Sequence, residues 1–399
     1  LKTRIREILR VRHKILLLAN TLLLVALISA GCTGVLGRGV AQGWAGGVVV
    51  DDTIIVGSRG GKIMALDATD GSLQGDPVVL TVQVPSSAFG CGGGGTTGVA
   101  IYSSPVINEN LVYVGGYTSG KVYAFLFDGE SLSAESEYNF PREGNLGGAI
   151  VGELAIDQEG NVFFGCANGK VYALDATLRS IWEYDTGDEI WSSPAITEDT
   201  LFIGNFGKKL YALDITDGTE RWAFETQGAI IATPLVYEDK VYFGTFGRRF
   251  YAVDITSGNE VWRFPADNAD ENKPQNWFWA KPLASNGTIY APNMDGKVYA
   301  LDAETGTLIN QFDLGGSIVS SPVLVDGLII VATQEGEVYS LNTANNEQRL
   351  LASLEEKVQA PLFAGNDTVY VHTFDDNLYA IDVETGGVRE FSLATDTNE

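Results

Sequence analysis

Histidine is almost absent from this chain: 399 residues contain two. One of them, His13, falls in a leader-like segment, which leaves His372 alone for the body of the chain. Histidine-clustered zinc sites are thereby excluded, and a Ser-His-Asp triad would rest on a single imidazole. Basic residues are also scarce, 26 Lys and Arg against 51 Asp and Glu, for a formal charge of −25. Taken over the whole chain, that balance argues against nucleic acid or an anionic membrane surface as partner, because phosphates would be repelled rather than neutralised. Apolar residues are not lacking. At 45% of the composition they are too frequent for a disordered chain.

The beginning of the chain reads as a targeting segment. Residues 1–14 carry Lys2, Arg4, Arg6, Arg10, Arg12 and Lys14 against Glu7, and residues 15–28 are almost wholly apolar, the basic and hydrophobic parts of a secretory signal. Fourteen apolar positions fall short of the roughly 20 that cross a bilayer as a helix. The segment ends in Leu27-Ile28-Ser29-Ala30-Gly31-Cys32, which resembles a bacterial lipobox and implies cleavage before Cys32 and its acylation. Ser29 departs from that pattern, in which Leu usually stands three residues before the Cys. Ordinary cleavage after Ala30 or Ala41, giving a secreted protein, and an uncleaved signal anchor are the alternatives. The expected organisation is a signal over 1–31, a linker over 32–42 and a folded body over 43–396, exported and extracytoplasmic in every version. Loss of residues 1–31 removes six cations and one anion, taking the charge from −25 to −30.

The rest is one motif written eight times. Gly169-Lys170-Val171-Tyr172-Ala173-Leu174-Asp175 recurs as Lys208–Asp214, Arg248–Asp254, Gly296–Asp302, Gly336–Asn342 and Asp376–Asp382, and earlier as Gly61–Asp67 and Gly120–Leu126. Its aromatic or Met position falls at 64, 123, 172, 211, 251, 299, 339 and 379, a basal period of about 40 residues. Each copy holds four short strand signals separated by Gly, Asp or Asn turns. The predicted fold is all-β, an eight-bladed propeller of four-stranded antiparallel blades. Seven blades is the alternative, because the third copy has Val151-Gly152-Glu153-Leu154 where others have two small residues and Pro, as in Ser192-Ser193-Pro194. Two stretches, 85–99 and 265–277, exceed the period and should project from the same face as the turns between second and third strands. That face is the candidate binding surface.

Gly-Lys-Val-Tyr-Ala-Leu-Asp, followed by Thr-x-Gly and a Trp such as Trp182, Trp222 or Trp262, resembles the pyrroloquinoline-quinone (PQQ) type propeller repeat over essentially residues 43–396. Two branches share it. Quinoprotein dehydrogenases hold PQQ and calcium and are generally longer, often with a vicinal Cys pair. The outer-membrane assembly lipoprotein branch (BamB-type) is a non-catalytic scaffold of about this length with a lipidated N-terminus. Cys91 and Cys166 are far apart, and no calcium-binding carboxylate and Asn with a catalytic Asp can be placed, so the resemblance implies the scaffold branch. It implies no catalytic residue, metal or cofactor, a protein partner in the cell envelope and a monomeric propeller. A PQQ- and calcium-dependent oxidoreductase is the alternative, and a carbohydrate- or small-ligand-binding propeller a third reading.

The candidate sites are few. Asp67, Asp175, Asp214, Asp254, Asp302 and Asp382 recur once per blade, so they radiate around the ring and read as side-chain-capped turns rather than a carboxylate array. Gly115–Lys121 imitates a phosphate-binding loop, but Val122 stands where Ser or Thr is required. Asn268, Asp270 and Asn272 alternate as in a calcium loop, with Trp279 near the place of the essential Glu. In an oxidising compartment Cys91 and Cys166 could form a disulfide; two free thiols are the equal alternative. Trp44, Tyr102, Trp191 and Trp279 precede the small-small-Pro positions, with Trp277 and Phe278 beside the last. They either line one mouth of the central channel and stack on a planar ligand or peptide, or pack between neighbouring inner strands.

Overall fold

The computed structural model describes residues 43–84, 95–133, 139–141, 144–266 and 273–393. The leader, the whole linker with Cys32, Cys91 and the Asn268-Asp270-Asn272 loop lie outside the described residues. Eight antiparallel sheets follow one another along the chain, each built from one continuous segment. In the fourth, Ala195–Ile196, Thr200–Gly204, Lys209–Asp214 and Glu220–Glu225 pair in sequence order. The second and third strands of a blade are buried and the outer strand is largely exposed, as expected when both faces of a sheet are covered by neighbours and one edge is not. The third copy, without its Pro, forms a complete sheet of Ala155–Ile156, Val162–Gly165, Lys170–Leu174 and Ser180–Asp185. The count is eight.

Small residues before the inner strands have a definite use. Innermost strands of adjacent blades touch, and Gly47–Val50 of the first meets Phe363–Gly365 of the last, closing the ring. Side-chain hydroxyls at this crowded level bond the neighbouring backbone: Ser192 Oγ donates to the Ala232 carbonyl at 3.1 Å and Ser320 Oγ to Ala360 at 2.5 Å. Glu153 joins the same network in the Pro-less blade. It accepts from Ser104 Oγ at 2.6 Å, and its N–H donates to Ser193 Oγ at 2.8 Å.

Between blades lie eight apolar clusters, one per seam. The outer-strand Trp residues tie three of these seams together. Trp182, Trp222 and Trp262 lie across from the small residues Ala173, Ala212 and Ala252. Their indole N–H groups donate to Ile215, Ile255 and Ala303 of the next blade at 2.9, 3.1 and 2.9 Å. Gly306, at φ +69°, lies under Trp262 so closely that a Cβ would stand 2.5 Å from the ring, which is why Thr-x-Gly accompanies the Trp. The repeated Asp residues cap turns as expected: Asp175 Oδ1 accepts the N–H groups of Thr177 and Arg179 at 2.9 Å, and Asp302 Oδ1 that of Thr305 at 2.8 Å.

One departure concerns the first long insertion. Thr81–Val84 and Gly95–Gly98 pair as an extra hairpin, where the sequence reads as a plain connection. The Gly115–Lys121 segment is a hairpin turn, with the Gly120 N–H donating to the Gly116 carbonyl at 3.0 Å.

Candidate functional site

The turns between second and third strands lie against the connections that lead from one blade to the next. The Phe206 N–H donates to the Glu189 carbonyl, Phe246 to Ala229 and Met294 to Trp277, each at 2.9 Å, and Phe374 to Lys357 at 2.7 Å. These bonds set the turn residue beside the residue that precedes the next inner strand, on one face of the ring. Where both are aromatic, the rings meet.

Two aromatic groups result, on opposite sides of the ring. Around blades 8, 1 and 2, Trp44 meets Tyr102 edge-on at 4.3 Å between centroids, Tyr102 meets Tyr117 at 4.7 Å, and Phe374 lies 6.2 Å from Trp44. The Arg59 guanidinium sits 4.8 Å over the Phe374 ring, an attraction to the π face. Burial, with Tyr117 adding to it, pushes the Tyr102 hydroxyl up to about 12, so the group stays neutral. Around blades 4, 5 and 6, Trp191 meets Phe206 at 4.9 Å, Phe206 meets Phe246 at 6.3 Å, and Phe246 stacks on Trp277 at 4.4 Å and Trp279 at 5.9 Å. All these rings except Phe278 are half-buried; Phe278 is 1% exposed and packs in the seam on Phe250.

The four aromatic positions read from the sequence are thus split into two pairs. Trp44 touches Tyr102 directly, whereas Trp191 and Trp279 join through Phe206 and Phe246. Tyr117, Phe206, Phe246 and Phe374 were not singled out. Their signal is in the repeat: the residue five places before the third-strand aromatic is Phe206, Phe246 and Phe374 in three copies, and Tyr117 stands six before Tyr123.

Cys166 is fully buried, and burial pushes its thiol above the ordinary value; Cys91, its suggested partner, is outside the described residues. Glu238, Asp239 and Glu304 converge on the opposite face, around a cation the chain itself supplies. Lys240 Nζ lies 2.5 Å from Asp239 and 2.9 Å from Glu304, with 6% of its side chain exposed. A cavity of about 500 Å³ on that same face is lined by Thr197, Asp199, Arg221 and Thr256. Arg221 there is paired to Asp199 at 2.7 Å and Asp214 at 2.8 Å.

The rim is the third surface. In blades 3 to 7 the outer strand is bulged against the third strand, with register shifts at Ala173/Leu174, Ala212/Leu213, Ala252/Val253, Ala300/Leu301 and Val338/Tyr339. Bulges blunt an edge against further pairing. Blade 1 has a two-residue outer strand, Val78–Val79, and blade 2 a split one, Leu132–Ser133 and Asn139–Phe140. Blade 8 differs: Val388–Ser392 pairs with Asn377–Ile381 without interruption, and Val388 is 45% exposed.

Sheets, seams and face together define an eight-bladed propeller of PQQ-like repeats. The family model described as outer membrane protein assembly factor BamB matches residues 167–312 and 294–389, more than half of the chain, and the chain belongs to that family. Among curated proteins, BamB of Moranella endobia (strain PCIT) is 33% identical over 75 residues, 19% of this chain and 19% of that protein. The human beta-alanine-activating enzyme is 31% identical over 61 residues, 15% of this chain and 6% of that protein. The matched stretches are therefore a small part of either relative's length. Among solved structures, BamB from Moraxella catarrhalis superposes with a TM-score of 0.61 at 18% identity, covering 86% of this chain and 94% of that one. The computationally designed Ika8 protein gives 0.62 at 16% identity, covering 73% and 86%. Sqt1 of Saccharomyces cerevisiae gives 0.60 at 13%, covering 73% and 88%. At these identities the three structures share the fold alone.

Proposed function

We propose that this chain is a non-catalytic assembly scaffold of the cell envelope, exported, held to the membrane through an acylated Cys32, and working by display of a rigid ring to a protein partner. The observation that carries the reading is the blade 8 edge. Among the described residues, Val388–Ser392 is the outer strand whose pairing is long and unbroken, so it offers a strand partner a regular row of backbone groups. Membership of a family whose model is described as an assembly factor supports the same role. The two aromatic groups contain ring stacks and hydroxyls, and no carboxylate hydrogen-bonds to Trp44, Tyr102, Trp191 or Trp279 in the described structure. They are better suited to apolar contact than to holding a cation and a quinone.

Metabolic labelling with a clickable fatty acid, followed by capture of the acylated chain from crosslinked envelopes, tests the proposal. Label on the wild type but not on Cys32→Ser, with a co-purifying protein lost on Val388→Asp, is the expected result. Dye reduction by the purified chain with PQQ, calcium and an alcohol or sugar would overturn it in favour of an oxidoreductase.

A further inference from the structure

Two residues beyond Tyr102, Trp191 and Trp279, where the chain enters the inner strands, stand Ser104, Ser193 and Lys281. Glu153, Thr233 and Ser321 hold the same place in blades 3, 5 and 7. Hydrogen bonds join this level from blade to blade: Ser104 Oγ donates to Glu153 Oε1 at 2.6 Å, the Glu153 N–H to Ser193 Oγ at 2.8 Å, and the Lys281 N–H to Ser321 Oγ at 3.2 Å. Gly46 closes the circle, so tightly that a Cβ there would stand 2.6 Å from Ser104 Oγ and 2.9 Å from the Pro361 carbonyl oxygen. The residues directly before this level, among them Ser103, Ser192, Ala232, Ala280 and Ser320, are buried in the wall. Glu153, Thr233, Lys281 and Ser321 are only half-buried. With a blade on either side and a second strand behind, their exposure opens onto the axis of the ring.

This throat of hydroxyls carries one charge of each sign. Lys281 belongs to blade 6 and Glu153 to blade 3, three blades apart around the ring, and no ion pair joins them. Glu153 uses one carboxylate oxygen for Ser104 and leaves the other open. Lys281 Nζ makes neither a hydrogen bond nor an ion pair among the described residues, whereas Lys170, Arg221 and Lys240 all pair with carboxylates. We propose that the throat binds a small zwitterion of the free amino acid or short peptide kind, its carboxylate on Lys281 and its ammonium on Glu153. A simple anion would satisfy Lys281 and face Glu153 with like charge; a simple cation would do the reverse. Only a dipolar ligand meets both fixed charges with the right sign. It also carries no net charge, so the −25 of the chain does not repel it as it would a free anion. Charge-assisted hydrogen bonds of this kind gain strength where water is partly excluded, and the hydroxyls of Thr233 and Ser321 offer adaptable partners beside them. The site owes nothing to acylation or to the blade 8 edge, so it stands or falls separately from the scaffold reading.

Isothermal titration calorimetry of the full chain with glycine, glycylglycine, acetate and methylamine tests the site. At least one of the two zwitterions should bind, and acetate and methylamine, each meeting a single charge, should bind about tenfold more weakly or worse. Lys281→Gln and Glu153→Gln should each raise the dissociation constant by about tenfold or more, the worth of one charge-assisted hydrogen bond. Lys281→Arg, which keeps the charge, should retain most of the affinity. Gln at 153 still offers Ser104 an oxygen, and an unchanged thermal midpoint in each variant separates loss of the ligand from loss of the fold. If Glu153→Gln does not fold, the Lys281 pair decides alone. No heat from either zwitterion at millimolar concentration would overturn the proposal. Acetate binding as tightly as glycine would overturn it in favour of a plain anion site, and binding unchanged in Lys281→Gln would place the ligand elsewhere and overturn it too.

Discussion

Ala303 carries a carbonyl that two side chains of the preceding blade share, and this makes the seam between blades 5 and 6 open to a double-mutant cycle. The Trp262 indole N–H reaches it at 2.9 Å and the Tyr242 hydroxyl at 3.1 Å. Both rings are buried, Trp262 at 8% exposure and Tyr242 at 0%. Trp262→Phe keeps an aromatic ring in the seam and removes one donor, so the carbonyl stays satisfied by Tyr242. A cost of about 1 kcal/mol is expected, beyond what the smaller ring loses in contact. Tyr242→Phe is its mirror, with a similar cost. Together they leave a buried acceptor with nothing to accept, a penalty of about 1–3 kcal/mol on top of the sum. Urea unfolding of the four proteins should therefore give a coupling energy of about 1–3 kcal/mol, destabilising in the double variant. Additivity within about 0.3 kcal/mol, the behaviour of independent sites, would refute the shared-acceptor argument.

Gly306→Ala should destabilise by about 2–4 kcal/mol in the same assay, because the position needs φ +69° and its new methyl would meet the Trp262 ring. At the ring closure, burial works against ionisation of Asp376. The hydrogen bonds from His372 at 3.2 Å and from the Arg59 N–H at 3.0 Å, with the charges of both residues, outweigh it and hold the carboxyl below its ordinary value. The stability this contributes is present above the unfolded carboxyl value of about 3.9 and is lost as pH falls through the lower folded value. Asp376→Asn should accordingly flatten the acid limb of a Tm against pH profile, whereas an unchanged acid limb would remove Asp376 from the account. The Cys166 thiol, buried and pushed up, should resist iodoacetamide in the native protein and react on unfolding without reductant. Failure to react after unfolding would signal a disulfide with Cys91.

Period and turn chemistry made the ring legible from the sequence. A copy about every 40 residues, with Asp before the final hairpin in six of the eight, indicated the blade number and assigned the repeated carboxylates to turns, because a side chain that bonds its own backbone needs only local sequence. Glu153 shows why one missing Pro did not matter: its backbone and carboxylate occupy the hydrogen-bonding level that Ser residues fill elsewhere. The functional surfaces were less accessible. Trp44 and Tyr102 could be aligned to the same repeat position, but that Trp191 and Trp279 communicate through Phe206 and Phe246 depends on the distance between adjacent blades. The bulges that blunt five outer strands are register events between third and fourth strands, invisible in composition. Blade 8 is told apart only by its unbroken pairing.

A photoreactive residue placed at Glu390, midway along the blade 8 outer strand, and in parallel at Arg221 on the bulged outer strand of blade 4, tests the scaffold account most directly in intact envelopes. A discrete protein adduct at position 390 and none at 221 is the predicted outcome. Equal adducts at both positions, or none at 390 while the acylated chain still captures its partner, would contradict it.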